Sequence, residues 1–222
     1  VRDHPGLPAS PYRRMDSGCV GSLACSYPLS LFDGRDARVL GTLEYLLNEC
    51  MIGDMFFLDI SHSGLNPYLT LTIAQALLRA GDERGFALVR AVAEAASPTG
   101  QWPEAIHPRT GGGCMGDGQH GWAAAEWISI MRDLFVREED DRLVLAGGIP
   151  RVWLEAGRSM SFGPTPTIYG PVTVRVRPGD GVAEVCWEAD WRSAPPAIEV
   201  RLAGRNVEVE DVAAVKVSVP LK

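Results

Sequence analysis

The first 140 residues contain five stretches with apolar side chains at helical spacing, and the connections between them alternate between short and long. The five stretches cover residues 18–32, 35–51, 66–82, 82–98 and 120–136. The long connections, rich in Gly, Pro, His, Asp and Trp, cover residues 1–17, 51–65 and 97–119. In stacked antiparallel helical hairpins, alternate connections lie at opposite ends, so we expect the three long connections to share one end. Long loops on a rigid scaffold commonly form binding sites.

Local signals mark where some of these helices begin and end. Asn66 can cap a helix whose first residue is Pro67, and Gly81 can end that helix. Asp16 precedes the first stretch and can either cap it or line a cleft at the shared end. The stretch 120–136 is apolar nearly all round, which predicts a deeply buried helix.

The pattern changes after about Glu139, where alternating β-branched segments bounded by Pro and Gly predict strands. These segments are "GPVTVRVRPG", "GVAEVCWEAD", "AIEVRLAG" and "AVKVSVP". We therefore predict a mainly α fold, with helical hairpins over residues 1–140 and a small antiparallel β module over residues 141–222.

Composition excludes two classes of partner. The formal net charge is -7 and no Lys/Arg cluster is denser than Arg13–Arg14, so we expect no nucleic-acid surface. No apolar run approaches the roughly 20 residues of a membrane span. The 5 cysteines are odd in number and none forms a CxxC pair, which is typical of a reduced, cytoplasmic protein.

The most informative segment covers residues 97–127 and places one carboxylate, Glu104, beside Trp102. A Gly-rich loop follows and leads into the last apolar helix, which carries Trp122. Sugar sites need aromatic faces for pyranose rings, polar groups for hydroxyls and a carboxylate that deprotonates water at the anomeric carbon. The candidate substrate-binding residues are Trp102, His62, Asp117, His120, Trp122, Arg109 and Asp16.

The segments "WPEAIHPRTGG" and "GDGQHGWAAAEW" resemble a region of glucoamylases, trehalases and related six-hairpin glycosidases. There a catalytic Glu is followed by a Gly-rich turn and a Trp-bearing, Ala-rich helix. The resemblance extends over roughly residues 13–178 and places Glu104 at the position of the catalytic base. It implies a partial (α/α) toroid, an inverting acid/base hydrolysis of an oligosaccharide, and no cofactor.

The resemblance also implies that part of the machinery is missing. The family's general acid lies in an earlier hairpin, and five helical stretches cannot form a toroid of twelve helices. We therefore expect the chain to be the C-terminal part of a longer protein. Apolar helix edges left open in a partial toroid predict a homo-oligomer or association with an N-terminal half.

Alternatives remain at several positions. The chain could be a non-catalytic sugar-binding or assembly module, or a phosphorylase relative in which Arg109 holds phosphate. Trp102 and Trp122 could be core aromatics, and His62 and His120 could bond to backbone instead of substrate. We expect no metal, because the nearby potential ligands fit no zinc spacing. Those potential ligands are His107, Cys114, Asp117 and His120.

Overall fold

A computed structural model of the protein describes residues 5–211 and 213–221. Contacts divide the chain into two compact units, Val1–Ile130 and Met131–Lys222, here called the N-terminal and C-terminal units. No helix of the described residues is long and apolar enough to cross a membrane.

The helices begin and end close to the predicted positions, with one exception. Asn66 Oδ1 accepts the Leu69 backbone N–H at 2.9 Å, Pro67 is the first helical residue, and Gly81 ends the helix with φ 74°. These three predictions are confirmed. The helices are α1 (Ala37–Glu49), α2 (Pro67–Ala80), α3 (Gly85–Glu94), α4 (Gly121–Phe135) and α5 (Arg151–Glu155).

The exception is the stretch 18–32, which forms only a short 3-10 helix, Ser17–Cys25. Two glycines, Gly18 and Gly21, weaken α-helical propensity in its first turns. Asp16 caps this helix by accepting the Gly18 backbone N–H at 2.9 Å.

The prediction of a mainly α fold is wrong, because the long connections are not irregular loops. Two of the three, residues 51–65 and 97–119, pair into a five-stranded sheet of very short strands, and no toroid is seen among the described residues. Buried backbone N–H and C=O groups need hydrogen-bond partners, and in these connections they pair with one another as strands. The strands, in this order, are β1 (Met51–Ile52), β2 (Met55–Leu58), β3 (Gly64–Leu65), β4 (Ala105–Ile106) and β5 (Gly113–Met115).

The C-terminal unit contains two four-stranded sheets. One is antiparallel, in the order β13-β10-β9-β8, and the other has the order β12-β11-β7-β6. In the second sheet β7 and β11 run parallel, so an entirely antiparallel module is a wrong prediction. The strands are β6 (Val136–Glu139), β7 (Arg142–Leu145), β8 (Met160–Thr167), β9 (Gly170–Pro178), β10 (Val182–Ala189), β11 (Ala197–Leu202), β12 (Arg205–Val209) and β13 (Lys216–Pro220).

A charged network crosses the second sheet around a fully buried arginine, Arg137 on β6. Arg137 Nε donates to Glu139 at 2.7 Å, and Arg201 on β11 contacts the other oxygen of Glu139 at 2.6 Å. Arg201 also forms two bonds to Glu199, at 2.8 and 2.9 Å. The charges alternate along this chain of contacts, which is how a buried cation is tolerated.

Helix α4 is not deeply buried, contrary to the prediction. Ala123 and Ile130 are buried, whereas Trp122 and Ile128 are each 65% exposed. The exposed residues lie in the first half of the helix, where Ala124 and Ala125 are exposed too, whereas Leu134 and Phe135 at its end are buried. The apolar sequence of α4 therefore predicts more burial than the helix has, because burial also depends on the neighbours that pack around it.

Candidate functional site

Two of the long connections meet in the N-terminal unit, as the alternating connections predict. Strand β3 pairs with β4 through Leu65 and Ile106, which joins residues 51–65 to residues 97–119. The remaining long connection reaches the same place through a hydrogen bond from the Ser17 hydroxyl to Asp59. Gly64 permits the close pairing, because a Cβ there would lie 2.9 Å from that of Ala105.

Glu104 and His62 form a pair at the entry to these two strands. His62 Nδ1 contacts Glu104 Oε1, and a hydrogen on Nδ1 would make the imidazole the donor and the carboxylate oxygen the acceptor. The side chains are 27% and 54% exposed, Glu104 being the more enclosed. Within the described parts of the chain, Oε2 of Glu104 has no hydrogen-bond partner of its own. One oxygen is thus held while the other is available.

The backbone holds both members of the pair in defined positions. The Glu104 N–H donates to the Met115 carbonyl at 3.1 Å, next to the pairing of β4 with β5. His62 has φ 51°, a left-handed conformation that is uncommon for residues other than glycine. Such residues occur often at functional sites, where surrounding structure keeps them in place.

An aromatic cluster forms where α2 and α4 begin. The Trp122 ring packs edge-on against Tyr68 at 5.4 Å between centroids, and His120 lies 5.7 Å from Trp122. Tyr68 is the second residue of α2, and Trp122 is the second of α4. The indole is therefore restrained by its neighbours but still presents most of its surface to solvent.

Trp102 connects the aromatic cluster to the carboxylate but does not face solvent. It is buried, its indole N–H donates to the Val92 carbonyl at 2.8 Å, and its ring packs on Trp127. Its own carbonyl accepts the His120 N–H at 2.8 Å. Glu104 follows two residues later, within about 7 Å along the chain. The structure thus places Trp102 in the core, where it anchors the loop that carries Glu104.

The other predicted site residues lie at the surface around this region. Asp117 is exposed and accepts the Gln119 backbone N–H at 3.0 Å. Arg109 is exposed, and its backbone N–H donates to His107 Nδ1 at 3.2 Å. Asp16 caps the 3-10 helix and pairs with Arg13 at 2.5 Å. Its capping role is therefore observed, and contact of these three residues with substrate stays a prediction.

Three further residues belong to this region and are not among those predicted from the sequence: Tyr27, Tyr68 and Glu126. The Tyr27 hydroxyl donates to Glu126 Oε2 at 3.0 Å. Burial, and then the negative charge of Glu126, raise the pKa of the Tyr68 phenol. Glu126 follows Trp122 by four residues, so helical spacing alone places both on one side of α4. The contact with Tyr27, 99 positions away in the chain, has no signal in the sequence.

Several solved glycosidase structures resemble this chain. One, named Glycosidase Wild Type, has 19% identity and a TM-score of 0.41, covering 56% of this chain and 32% of its own. A glycosidase variant in complex with glucose has 18% identity, the same TM-score and the same coverage. The present chain spans about one third of the length of these glycosidases. No protein-family model and no curated protein matches it.

The region offers no arrangement for a metal ion. Over residues 5–211 and 213–221, no three His, Cys, Asp or Glu side chains converge as ligands would. Cys114 is exposed, and its Sγ lies 3.6 Å from the carbonyl oxygens of Ser63 and Ala105.

Proposed function

We propose that this chain belongs to a carbohydrate-active protein of the glycoside hydrolase type, in which Glu104 is the general base of an inverting hydrolysis of an oligosaccharide. The observation that supports this proposal is the geometry of the Glu104 carboxylate. One oxygen is held by His62, the other has no partner in the described part of the chain, and the helix that follows the same loop begins with an exposed tryptophan, Trp122.

In this mechanism, Glu104 Oε2 accepts a proton from a water molecule as that water attacks the anomeric carbon. The His62 hydrogen bond fixes which oxygen faces the water. Trp122 supports the apolar face of the sugar ring, while His120, Asp117 and Arg109 are proposed to bond to its hydroxyls. Inversion also needs a general acid about 6.5–9.5 Å from the base. We propose that residues upstream of this chain supply that acid.

The test compares Glu104→Gln with the unchanged protein, in the complete gene product, on a panel of α- and β-linked disaccharides. We expect the hydrolysis rate to fall about 10²–10⁴-fold. The melting temperature should stay nearly constant, because glutamine can still accept the His62 hydrogen bond. Glu94→Gln, an exposed carboxylate on α3, is the matched control and should leave the rate unchanged. An unchanged rate in Glu104→Gln would remove Glu104 from the mechanism.

The exposed side of α4 favours a second candidate, a non-catalytic module that completes a sugar-binding cleft with another chain. Ile128 is as exposed as Trp122, and Ala124 and Ala125 beside it are exposed as well. Apolar surface of this kind commonly contacts a partner, here a second copy or an N-terminal half. Light scattering at increasing concentration should then show a rising mass, and Ile128→Glu should prevent it. A constant monomer mass would count against this candidate.

A further inference from the structure

His62 lies in a five-residue turn, residues 59–63, which joins β2 to β3 and is here called the His62 turn. The Ser63 hydroxyl donates to the Asp59 carbonyl at 3.2 Å, which links the last residue of the turn to its first. Within the turn His62 has φ 51°, a conformation that costs free energy for a residue other than glycine. Such a conformation persists where the surrounding structure holds it, so the contacts of this turn with other elements are important.

Two contacts join the His62 turn to the start of the 3-10 helix. The hydroxyl of Ser17, a buried residue, donates to Asp59 Oδ1. The Ile60 side chain rests against Gly18, because a Cβ on that glycine would lie 3.0 Å from Ile60 Cδ1. A hydrogen bond to an ionised carboxylate is stronger than one between neutral groups. The turn is therefore anchored at its first two residues, with Asp59 as the polar anchor.

The anchored turn carries the imidazole that contacts Glu104. His62 Nδ1 contacts Glu104 Oε1, and this contact decides which carboxylate oxygen remains available. No described contact joins Asp59 to Glu104, so an influence of Asp59 on the carboxylate passes through His62. A displacement of about 1 Å at a catalytic group can lower a rate by as much as about 10²-fold. A loose turn would therefore affect the orientation of the carboxylate without removing it.

We infer that Asp59 is a positioning residue: anchored by the Ser17 hydroxyl, it holds the His62 turn so that His62 stays on Glu104 Oε1 and leaves Oε2 available. The effect of Asp59 on the reaction rate rests on the proposed function, in which Glu104 is the base. Its effect on the His62–Glu104 contact does not, and the two effects are measured separately.

The first measurement is the tautomer of the His62 ring, which does not depend on activity. In the complete gene product labelled with ¹⁵N-histidine, two-bond ¹H–¹⁵N spectra show which ring nitrogen carries the hydrogen, and His62→Gln identifies the His62 signals. At about pH 8.5, where an ordinary imidazole is neutral, we expect a single tautomer with the hydrogen on Nδ1. Asp59→Ala should show a mixture of both tautomers. Asp59→Asn should restore the single one, because an amide oxygen can still accept from Ser17.

The second measurement divides the effect between kcat and KM. Asp59→Ala should lower kcat about tenfold and leave KM within about twofold, because the base is misplaced while the sugar-binding surface is unchanged. Asp59→Asn should retain kcat within about twofold. In the His62→Gln background, Asp59→Ala should have no further effect on kcat, since its influence passes through His62. Additive effects of the two substitutions would contradict this route.

Asp54→Ala is the matched control. Asp54 lies in the same long connection and, like Asp59, contacts a residue distant in the chain, Arg90 at 3.8 Å. Its removal should change neither the tautomer nor kcat. Ser17→Ala removes the anchoring hydrogen bond from the other side and should reproduce Asp59→Ala, and the melting temperature of each variant shows whether it is folded. A single Nδ1–H tautomer that persists in Asp59→Ala, or its absence from the unchanged protein, would overturn the inference.

The two measurements separate this inference from the proposed hydrolysis. If Glu104→Gln leaves hydrolysis intact but Asp59→Ala loses the single tautomer and Asp59→Asn restores it, the positioning role stands and the catalytic proposal fails. If Glu104→Gln abolishes hydrolysis but Asp59→Ala keeps both the tautomer and kcat, the catalytic proposal stands and the positioning role fails.

Discussion

Two regions of the molecule bring acidic and basic side chains together, and they do so in opposite ways. In the C-terminal unit, Arg137 and Glu139 are 2% and 17% exposed, and Arg201 links them to Glu199. In the N-terminal unit, Glu104 contacts His62 at the ends of short strands, with both side chains partly exposed. One region is a closed network, and the other is a single pair with an available carboxylate oxygen.

The difference indicates which charged side chains stabilise the folded protein and which remain accessible to a ligand. A buried ion network must satisfy its own members, because an uncompensated charge in the interior is very costly. A partly exposed pair carries no such requirement and contributes little to stability. Substitutions in the charged network of the C-terminal unit should therefore lower stability, whereas substitutions of the Glu104–His62 pair should change function with little effect on stability.

The largest effect on stability is expected for Arg137→Ala. Removing this side chain leaves Glu139 short of a partner, opens a cavity beside Gly147 and should destabilise the C-terminal unit by about 3–5 kcal/mol. Denaturant unfolding measures the change. Arg90→Ala, which removes an exposed pair with Asp54 at 3.8 Å, is the control and should change stability by about 0.5 kcal/mol or less. Equal effects would contradict the closed network.

An intermediate effect is expected for the buried tryptophan of the N-terminal unit. Trp102→Phe keeps an aromatic ring but leaves the buried Val92 carbonyl without its donor, which should destabilise by about 1–3 kcal/mol. Trp122→Phe should change stability by about 0.5 kcal/mol or less, because that ring is largely exposed. Denaturant unfolding measures both changes. A larger loss of stability in Trp122→Phe than in Trp102→Phe would contradict this prediction.

The smallest expected effect is on the loss of stability at acidic pH, through Glu199. Hydrogen bonds from Arg201 hold the pKa of Glu199 below its usual value. A carboxyl whose pKa is lowered by folding stabilises the protein above its unfolded pKa of about 4.3, and this stabilisation is lost as the pH falls through the lower folded value. Melting temperatures measured from pH 6 to pH 3 should fall less steeply in Glu199→Gln than in the unchanged protein. Parallel curves would show that Glu199 is not linked to folding.

How much of this could be predicted depends on how local each signal is. Asn66, Pro67 and Gly81 act within a few residues of themselves, and the helix that they define is confirmed. The pairing of Leu65 with Ile106 joins two-residue strands with no periodicity, so the sheet of short strands was missed and the fold class was wrong. The parallel pairing of β7 with β11 likewise depends on the tertiary arrangement.

The candidate site shows the same division. Residue types and order in the loop 97–119 pointed to Glu104, and the alternation of connections predicted that His62 would lie at the same end. The direct contact between these two side chains, and that between Tyr27 and Glu126, come from tertiary structure alone. Trp122 lies in an apolar helix that predicts burial, yet its exposure is what makes it available to a ligand.

The most direct test of the account measures two quantities, sugar release and melting temperature, on two glutamine variants side by side in the complete gene product. We predict that Glu104→Gln loses sugar release about 10²–10⁴-fold with its melting temperature nearly unchanged. For Glu199→Gln we predict the opposite, a lower melting temperature with sugar release retained at temperatures where the protein is folded. A fall in melting temperature for Glu104→Gln, with its rate retained, would contradict the account and make Glu104 a structural residue.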